Sequence, residues 1–160
     1  MAVPIEARVG ESLRRRNWTL ATAESCTGGL VGHRITQIPG SSDYFLGGIV
    51  AYSNQAKEKL LNVSPGTLMR YGAVSEATAM EMAQGVQQAF SSDVGLSITG
   101  IAGPDSDSSD KPVGLTWIAI CTAEEAINEC HHWQGDRSSN KRQSAQAALK
   151  LLYRLLKEKP

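Results

Sequence analysis

Hydrophobic and polar positions alternate along this chain with two different periods. Apolar residues recur every four positions over 5–13, which predicts an amphipathic first helix. A short strand over 19–23 follows, and the next helix is predicted to begin at Thr27 or Gly28. The other predicted elements are a strand over 44–52, a helix from Ser53 or Asn54 to 61, a helical turn over 67–70, a helix after Ser75, strands over 94–100, 113–121 and 127–133, and a last helix from Ser138 or Ser139.

Strands and helices alternate over most of the length, which predicts an α/β fold. We expect one domain over 1–160, a three-layer α/β/α sandwich with a mixed, mostly parallel sheet. The hairpin of the last two strands makes the sheet mixed. Ligands gather at the carboxyl ends of strands in such sheets. Three glycine-bearing turns lie at the ends of predicted strands, at 25–29, 48–54 and 99–104.

Composition limits the classes of function. The chain has 160 residues, 41% of them hydrophobic, and its 16 Lys and Arg balance 16 Asp and Glu. A formal charge of zero argues against a general nucleic-acid binder. No apolar run approaches the ~20 residues that span a bilayer, which argues against a membrane protein. Three cysteines without C-x-x-C spacing (Cys26, Cys121 and Cys130) predict a reduced, cytoplasmic protein without a disulfide framework or zinc site.

The first chemically suggestive stretch is T-A-E-S-C-T-G-G at 22–29. Gly28 and Gly29 permit a tight turn in which main-chain N–H groups face a ligand. Ser25 at such a turn can act as a nucleophile, because nearby N–H groups can stabilise an oxyanion. The alternative is that Ser25 or Thr27 only caps a helix and that Glu24 is a solvated acid.

The second stretch is A-Y-S-N-Q-A-K at 51–57. If Asn54 is the N-cap, Lys57 is the third helical residue, where the helix field disfavours an ammonium and lowers its pKa. Partial burial would lower that pKa further, so Lys57 would be a usable base for a serine hydroxyl. Tyr52 could relay or orient the proton. The alternative is a solvated surface lysine.

Two further stretches suggest substrate binding. Main-chain amides at Thr99 and Gly100, in S-I-T-G-I-A-G-P, could cradle a ligand, although an ordinary turn explains the same residues. Arg137 and Arg142, in G-D-R-S-S-N-K-R, could clamp a phosphate at the start of the last helix, or could be a solvated helix end. A thiol enzyme that pairs Cys26 with a histidine is a weaker alternative.

Taken in order, these stretches resemble the CinA C-terminal domain family. The resemblance rests on A-E-S-C-T-G-G-L (23–30), G-G-I-V-A-Y-S-N-Q-A-K (47–57), G-A-V-S (72–75), T-G-I-A-G-P (99–104), K-P-V-G (111–114) and G-D-R (135–137), and covers nearly the whole chain. The chain resembles the stand-alone form of this domain, which is similar to nicotinamide mononucleotide deamidases.

The resemblance implies an amidohydrolase of pyridine-nucleotide salvage that needs neither a metal nor a cofactor. It also implies a homodimer. It implies Ser25 as nucleophile, Lys57 as base and Tyr52 as their third member. The implied substrate-binding residues are Thr27, Gly28, Gly29, Gly48, Thr99, Gly100, Arg137 and Arg142.

One stretch departs from the family pattern. A short glycine-containing run usually follows the position of Pro104, whereas this chain has D-S-D-S-S-D at 105–110. Leu115 also stands where a threonine is expected. An acid-rich loop could repel a phosphate, so the alternative function is an inactive paralogue that binds a nucleotide or a protein partner.

Overall fold

The fold is built on one five-stranded sheet. In the computed structural model, which describes residues 2–158, the strand order is β2-β1-β3-β4-β5. The strands are Leu20–Glu24 (β1), Phe45–Val50 (β2), Val94–Gly100 (β3), Leu115–Cys121 (β4) and Ala126–His132 (β5). Strand β1 pairs in parallel with β2 and β3, whereas the β3–β4 and β4–β5 pairs are antiparallel. Strand β4 therefore runs against the other four.

Helices cover both faces of the sheet. They are Ile5–Arg16 (α1), Leu30–Thr36 (α2), Asn54–Leu61 (α3), Pro65–Tyr71 (α4), Glu76–Phe90 (α5) and Arg137–Glu158 (α6), with a 3-10 turn at Ser41–Asp43. The first, second and last pack together on one face, and the other three cover the opposite face. The predicted three-layer α/β/α sandwich with a mixed sheet is confirmed.

The larger hydrophobic core lies between the sheet and helices α1, α2 and α6. Leu13, Leu96, Ile118 and Leu149 are fully buried there. Each such side chain contributes roughly 1.5–3 kcal/mol relative to an exposed one. A smaller core under α3, α4 and α5 includes Met82 and is likewise buried. No helix among the described residues is long and apolar enough to cross a bilayer.

Several element boundaries differ from the sequence prediction. Helix α2 begins at Leu30 rather than at Thr27 or Gly28. The reason is that Gly28 and Gly29 have φ values of 61° and 104°, in the left-handed region that a right-handed helix excludes. The strands predicted over 44–52 and 113–121 are shorter, and 65–71 forms a complete helix rather than a turn.

The register of the central strands brings three chain segments to one edge of the sheet. Glu24, the last residue of β1, pairs with Val50 of β2 and with Ile98 of β3. The residues that follow these three therefore leave the sheet side by side. Ser25 and the segments after Val50 and Ile98 meet there, as expected for a ligand site in an α/β sheet.

Candidate active site

Ser25 lies at the carboxyl end of β1, in a turn with two consecutive left-handed glycines. Its N–H donates to the Ile98 carbonyl at 3.0 Å, which ties it to β3, and its carbonyl accepts from Gly28 at 3.1 Å. The N–H groups of Cys26 and Thr27 have no hydrogen-bond partner among the described residues. Two N–H donors without a partner therefore follow Ser25 directly, and Ser25 is buried, with 7% of its surface exposed.

Lys57 reaches Ser25 from helix α3. Its Nζ lies 3.0 Å from Ser25 Oγ, 2.9 Å from the Ala51 carbonyl and 3.3 Å from the Tyr52 carbonyl. The side chain is 1% exposed. The alternative of a solvated surface lysine is therefore wrong.

The environment of Lys57 makes its neutral form easier to reach than that of an exposed lysine. Burial lowers the pKa of Lys57 from 10.5 to about 8, while the neighbouring Cys26 has a smaller, opposite effect. Ser53 is the N-cap and its Oγ accepts from Ala56 N–H, so Lys57 is the fourth helical residue and not the third. The pKa of Lys57 is therefore lowered by burial, and not by the helix field that the sequence predicted as the main cause.

The three contacts of Nζ suit a base. A neutral amine has two N–H donors and one lone pair. The carbonyls of Ala51 and Tyr52 can only accept, so they take the two N–H groups. In the ammonium form Nζ donates to Ser25 Oγ, and in the neutral form its lone pair can accept from the Ser25 O–H. The arrangement can remove a proton from Ser25 as its oxygen attacks an electrophile.

The serine and lysine line a cavity of about 240 Å³. Thr99 and Gly100 also line it, and the Thr99 hydroxyl donates to the Ala73 carbonyl at 2.7 Å. Asp105, Ser106 and Asp107 line it too, so part of the acid-rich loop borders the nucleophile.

Tyr52 and Arg137 form another edge of this cavity. The Tyr52 side chain is 63% exposed, and its hydroxyl accepts from Arg137 at 3.2 Å. Arg137 also donates to the Gly103 carbonyl at 2.6 Å. Tyr52 contacts Lys57 through its main-chain carbonyl, and its hydroxyl faces the guanidinium instead of the serine–lysine pair.

A basic groove of about 680 Å³ adjoins the cavity, because Arg137 lines both. It is lined by Thr27, Gly28, Gly29, Leu30, His33, Arg137, Ser138, Lys141 and Arg142. The three predicted residues of the glycine turn and both predicted arginines are thus brought together. Lys141 was not predicted, although its place four residues after Arg137 puts both on one side of α6.

Two other candidate residues, Gly48 and Cys26, do not have the positions or properties that their predicted roles require. Gly48 lines neither space; it lies in β2, where a Cβ would come 2.5 Å from Thr22 Oγ1, so its role is close strand contact. Cys26 lines the cavity, but burial raises its pKa to about 12, which disfavours a reactive thiolate. Among residues 2–158, no group of three or more His, Cys, Asp or Glu side chains is placed to hold a metal ion.

Glu24 is the acid that the sequence analysis misjudged. It is 2% exposed rather than solvated, and its carboxylate accepts hydrogen bonds from Thr27 and from the first turn of α2. The sequence signal for this role was its position, immediately before the serine and six residues before the helix.

A family model of the CinA C-terminal domain matches residues 2–156. A CinA-like protein of Salinibacter ruber is 49% identical over 154 residues, which are 96% of this chain and 37% of that protein. A putative competence-damage inducible protein of Moorella thermoacetica is 52% identical over 153 residues, with the same two coverages. The chain thus spans little more than a third of the length of these relatives.

Solved structures share the fold over nearly the whole chain. A CinA superfamily protein from Klebsiella pneumoniae superimposes with a TM-score of 0.94 at 30% identity, covering 96% of both chains. A competence/damage inducible protein from Agrobacterium tumefaciens has a TM-score of 0.90 at 34% identity, covering 97% of this chain and 99% of that one.

Proposed function

The chain belongs to the CinA C-terminal domain family, and we propose that it is a metal-independent amidohydrolase that converts nicotinamide mononucleotide to nicotinic acid mononucleotide and ammonia. The observation on which the proposal depends is the 3.0 Å contact between Lys57 Nζ and Ser25 Oγ, inside a cavity and shielded from water. A buried amine of lowered pKa beside a hydroxyl suits a nucleophile–base pair.

In the proposed acylation step, neutral Lys57 takes the Ser25 proton while Oγ attacks the carboxamide carbon. We assign stabilisation of the resulting oxyanion to the N–H groups of Cys26 and Thr27, which donate to no other described group. The ammonium form of Lys57 then gives its proton to the departing nitrogen. The C–N bond breaks, ammonia leaves, and the acyl group stays on Ser25 as an ester.

Deacylation repeats these roles with water. Lys57, neutral again, takes a proton from a water molecule that attacks the ester carbonyl. The C–O bond to Ser25 breaks, and Lys57 returns the proton to Oγ. The product is the carboxylate of nicotinic acid mononucleotide, and the serine is restored.

The basic groove supports a phosphate-bearing substrate. Arg137, Lys141 and Arg142 extend along α6 next to the Ser25 cavity. Guanidinium groups bind phosphate through paired N–H donors. We place the 5′-phosphate in this groove and the nicotinamide ring in the cavity, with Thr99 and Gly100 at its wall.

The experiment is an ammonia-release assay on purified protein with nicotinamide mononucleotide, with and without a chelator. Wild type should release ammonia in both, and Ser25→Ala and Lys57→Met should each abolish the release. Lys59→Met is the matched control, because Lys59 is exposed on the same helix and should leave the rate unchanged. Full activity in either site variant would remove that residue from the mechanism.

One observation favours a second candidate function. Asp105 and Asp107 border the cavity, where their charge opposes an approaching phosphate. The alternative is therefore a domain that binds a nucleotide or a protein partner without turnover. Calorimetry that detects nucleotide binding, combined with no ammonia over hours, would favour it. Recovery of activity on replacing 105–110 with a glycine-containing run would identify the loop as the cause.

We further propose a cytoplasmic homodimer. Cys26, Cys121 and Cys130 are free thiols, as suits a reducing compartment. Strand β5 stands at one end of the strand order, so its outer edge is available for pairing with a second copy. Light scattering on the eluting protein would measure the mass directly, and a monomer at micromolar concentration would contradict the dimer.

A further inference from the structure

We propose that Glu24 is a positioning residue for the hydrolysis: its carboxylate fixes the turn after β1 so that the N–H groups of Cys26 and Thr27 face the oxyanion formed on the substrate. This inference rests on the proposed function. It gives a role to a buried acid that takes no part in the proton transfers described above.

Three donors converge on this carboxylate. Oε1 accepts from the Thr27 hydroxyl at 2.6 Å and from Val31 N–H at 2.9 Å, and Oε2 accepts from Gly32 N–H at 3.0 Å. Both oxygens are used as acceptors in a site that is 2% exposed. Hydrogen bonds to a buried charged group are among the stronger ones in proteins, so they hold this segment firmly.

The same bonds also occupy N–H groups at the start of α2. The first N–H groups of a helix usually attract an anion, and here Val31 and Gly32 already donate to Glu24. The start of α2 is therefore not available to the substrate through these two groups. Of the N–H groups in the turn that form no hydrogen bond, those of Cys26 and Thr27 are nearest to the nucleophile along the chain.

Fixing Thr27 also fixes its main-chain N–H. The segment is tied at one end by the Ser25 N–H bond to Ile98 and at the other by the Val31 N–H bond to Glu24. Between them lie Gly28 and Gly29, which restrict the backbone least. Without the Thr27 side-chain bond, only bonds from main-chain groups would hold this turn. The N–H groups of Cys26 and Thr27 would then adopt a wider range of orientations.

A purely structural role for Glu24 makes a different prediction. A cap that only stabilises α2 would change the melting temperature and leave the folded enzyme's kcat intact. A positioning role lowers kcat with little change in KM, because the oxyanion forms only in the transition state. The two roles therefore separate in kinetics.

The test uses Glu24→Gln, Thr27→Val and Thr27→Ser. In Glu24→Gln an amide NH2 must face at least one of the three donors, and Thr27→Val removes one donor while leaving both main-chain bonds to Glu24. We expect kcat to fall about 100-fold or more in both, with KM within about threefold, as for loss of an oxyanion donor. Thr27→Ser keeps the hydroxyl and should restore kcat to within about threefold of wild type.

A second readout does not depend on the substrate. Labelling of Ser25 by a fluorophosphonate passes through an oxyanion and should slow in the same two variants, with Glu11→Gln, an exposed acid, as control. Wild-type labelling without ammonia release would contradict the proposed function and still test Glu24. Unchanged kcat and labelling in folded Glu24→Gln and Thr27→Val would overturn the positioning role.

Discussion

The buried lysine should cost folding stability at neutral pH, and this cost can be measured without knowing the substrate. The perturbation is Lys57→Met, which keeps an unbranched side chain and removes the charge. Lys57 is 1% exposed and its pKa falls from 10.5 to about 8 on folding. That difference of about 2.5 units corresponds to about 3 kcal/mol, at ~1.36 kcal/mol per unit.

The sign follows from which state binds more protons. Between pH 8 and 10.5 the unfolded chain still holds the Lys57 proton while the folded protein has released it, so stability contributed by this group rises with pH in that window. Below pH 8 both states are protonated and the full penalty remains. Lys57→Met has no such dependence, so wild type should gain about 3 kcal/mol relative to it between neutral pH and about pH 11.

The assay is denaturant unfolding of both proteins at a series of pH values from 7 to 11. Groups that titrate in both proteins, such as Cys121 and Cys130, cancel in the difference. Lys59→Met is the control and should run parallel to wild type. If the wild-type and Lys57→Met curves stay parallel to within about 0.5 kcal/mol, the fold does not lower the pKa of Lys57, and the argument for a base fails.

The proposed base, the proposed phosphate contact and one buried hydroxyl each give a further prediction. The pH profile of kcat/KM should rise to a plateau with a midpoint near 8, because neutral Lys57 is the base; a profile flat from pH 6 to 9 would contradict it. Arg137→Ala should raise KM for nicotinamide mononucleotide by about tenfold or more, and far less for the riboside without phosphate; equal effects on both would exclude a phosphate contact. Tyr44→Phe should stabilise the fold by about 1 kcal/mol in thermal or urea unfolding, because the Tyr44 hydroxyl is buried without a partner among the described residues, whereas exposed Tyr71→Phe should have little effect.

The sequence was sufficient to place the serine and the lysine at one edge of the sheet. Both follow strands that end next to one another, and the parallel pairing of β1 with β2 and β3 puts those ends at the same level. The periodicity of α1, α5 and α6 likewise predicted helices whose apolar stripes form the cores. These features depend on the hydrophobic pattern and on the order of the strands and helices, and both can be read from a single sequence.

Burial of polar groups was harder to predict. Glu24 is a charged residue in a turn, and only the tertiary structure shows three donors around it. The lowered pKa of Lys57 was predicted from a helix position that differs by one residue from the structure. That pKa depends mainly on burial of the side chain. The direction of the Tyr52 side chain was also not predictable: its hydroxyl accepts a hydrogen bond from Arg137, which is distant in the sequence. Such contacts depend on distant residues, so periodicity does not predict them.

The most direct test of the account is to identify the acyl-enzyme. Wild-type protein mixed with nicotinamide mononucleotide, quenched in acid within the first turnovers and digested, should yield a Ser25 peptide heavier by one nicotinic acid mononucleotide acyl group. Lys57→Met treated identically should yield the unmodified peptide. Ammonia release by wild type with no adduct on Ser25, together with an unimpaired rate in Ser25→Ala, would contradict the serine–lysine mechanism.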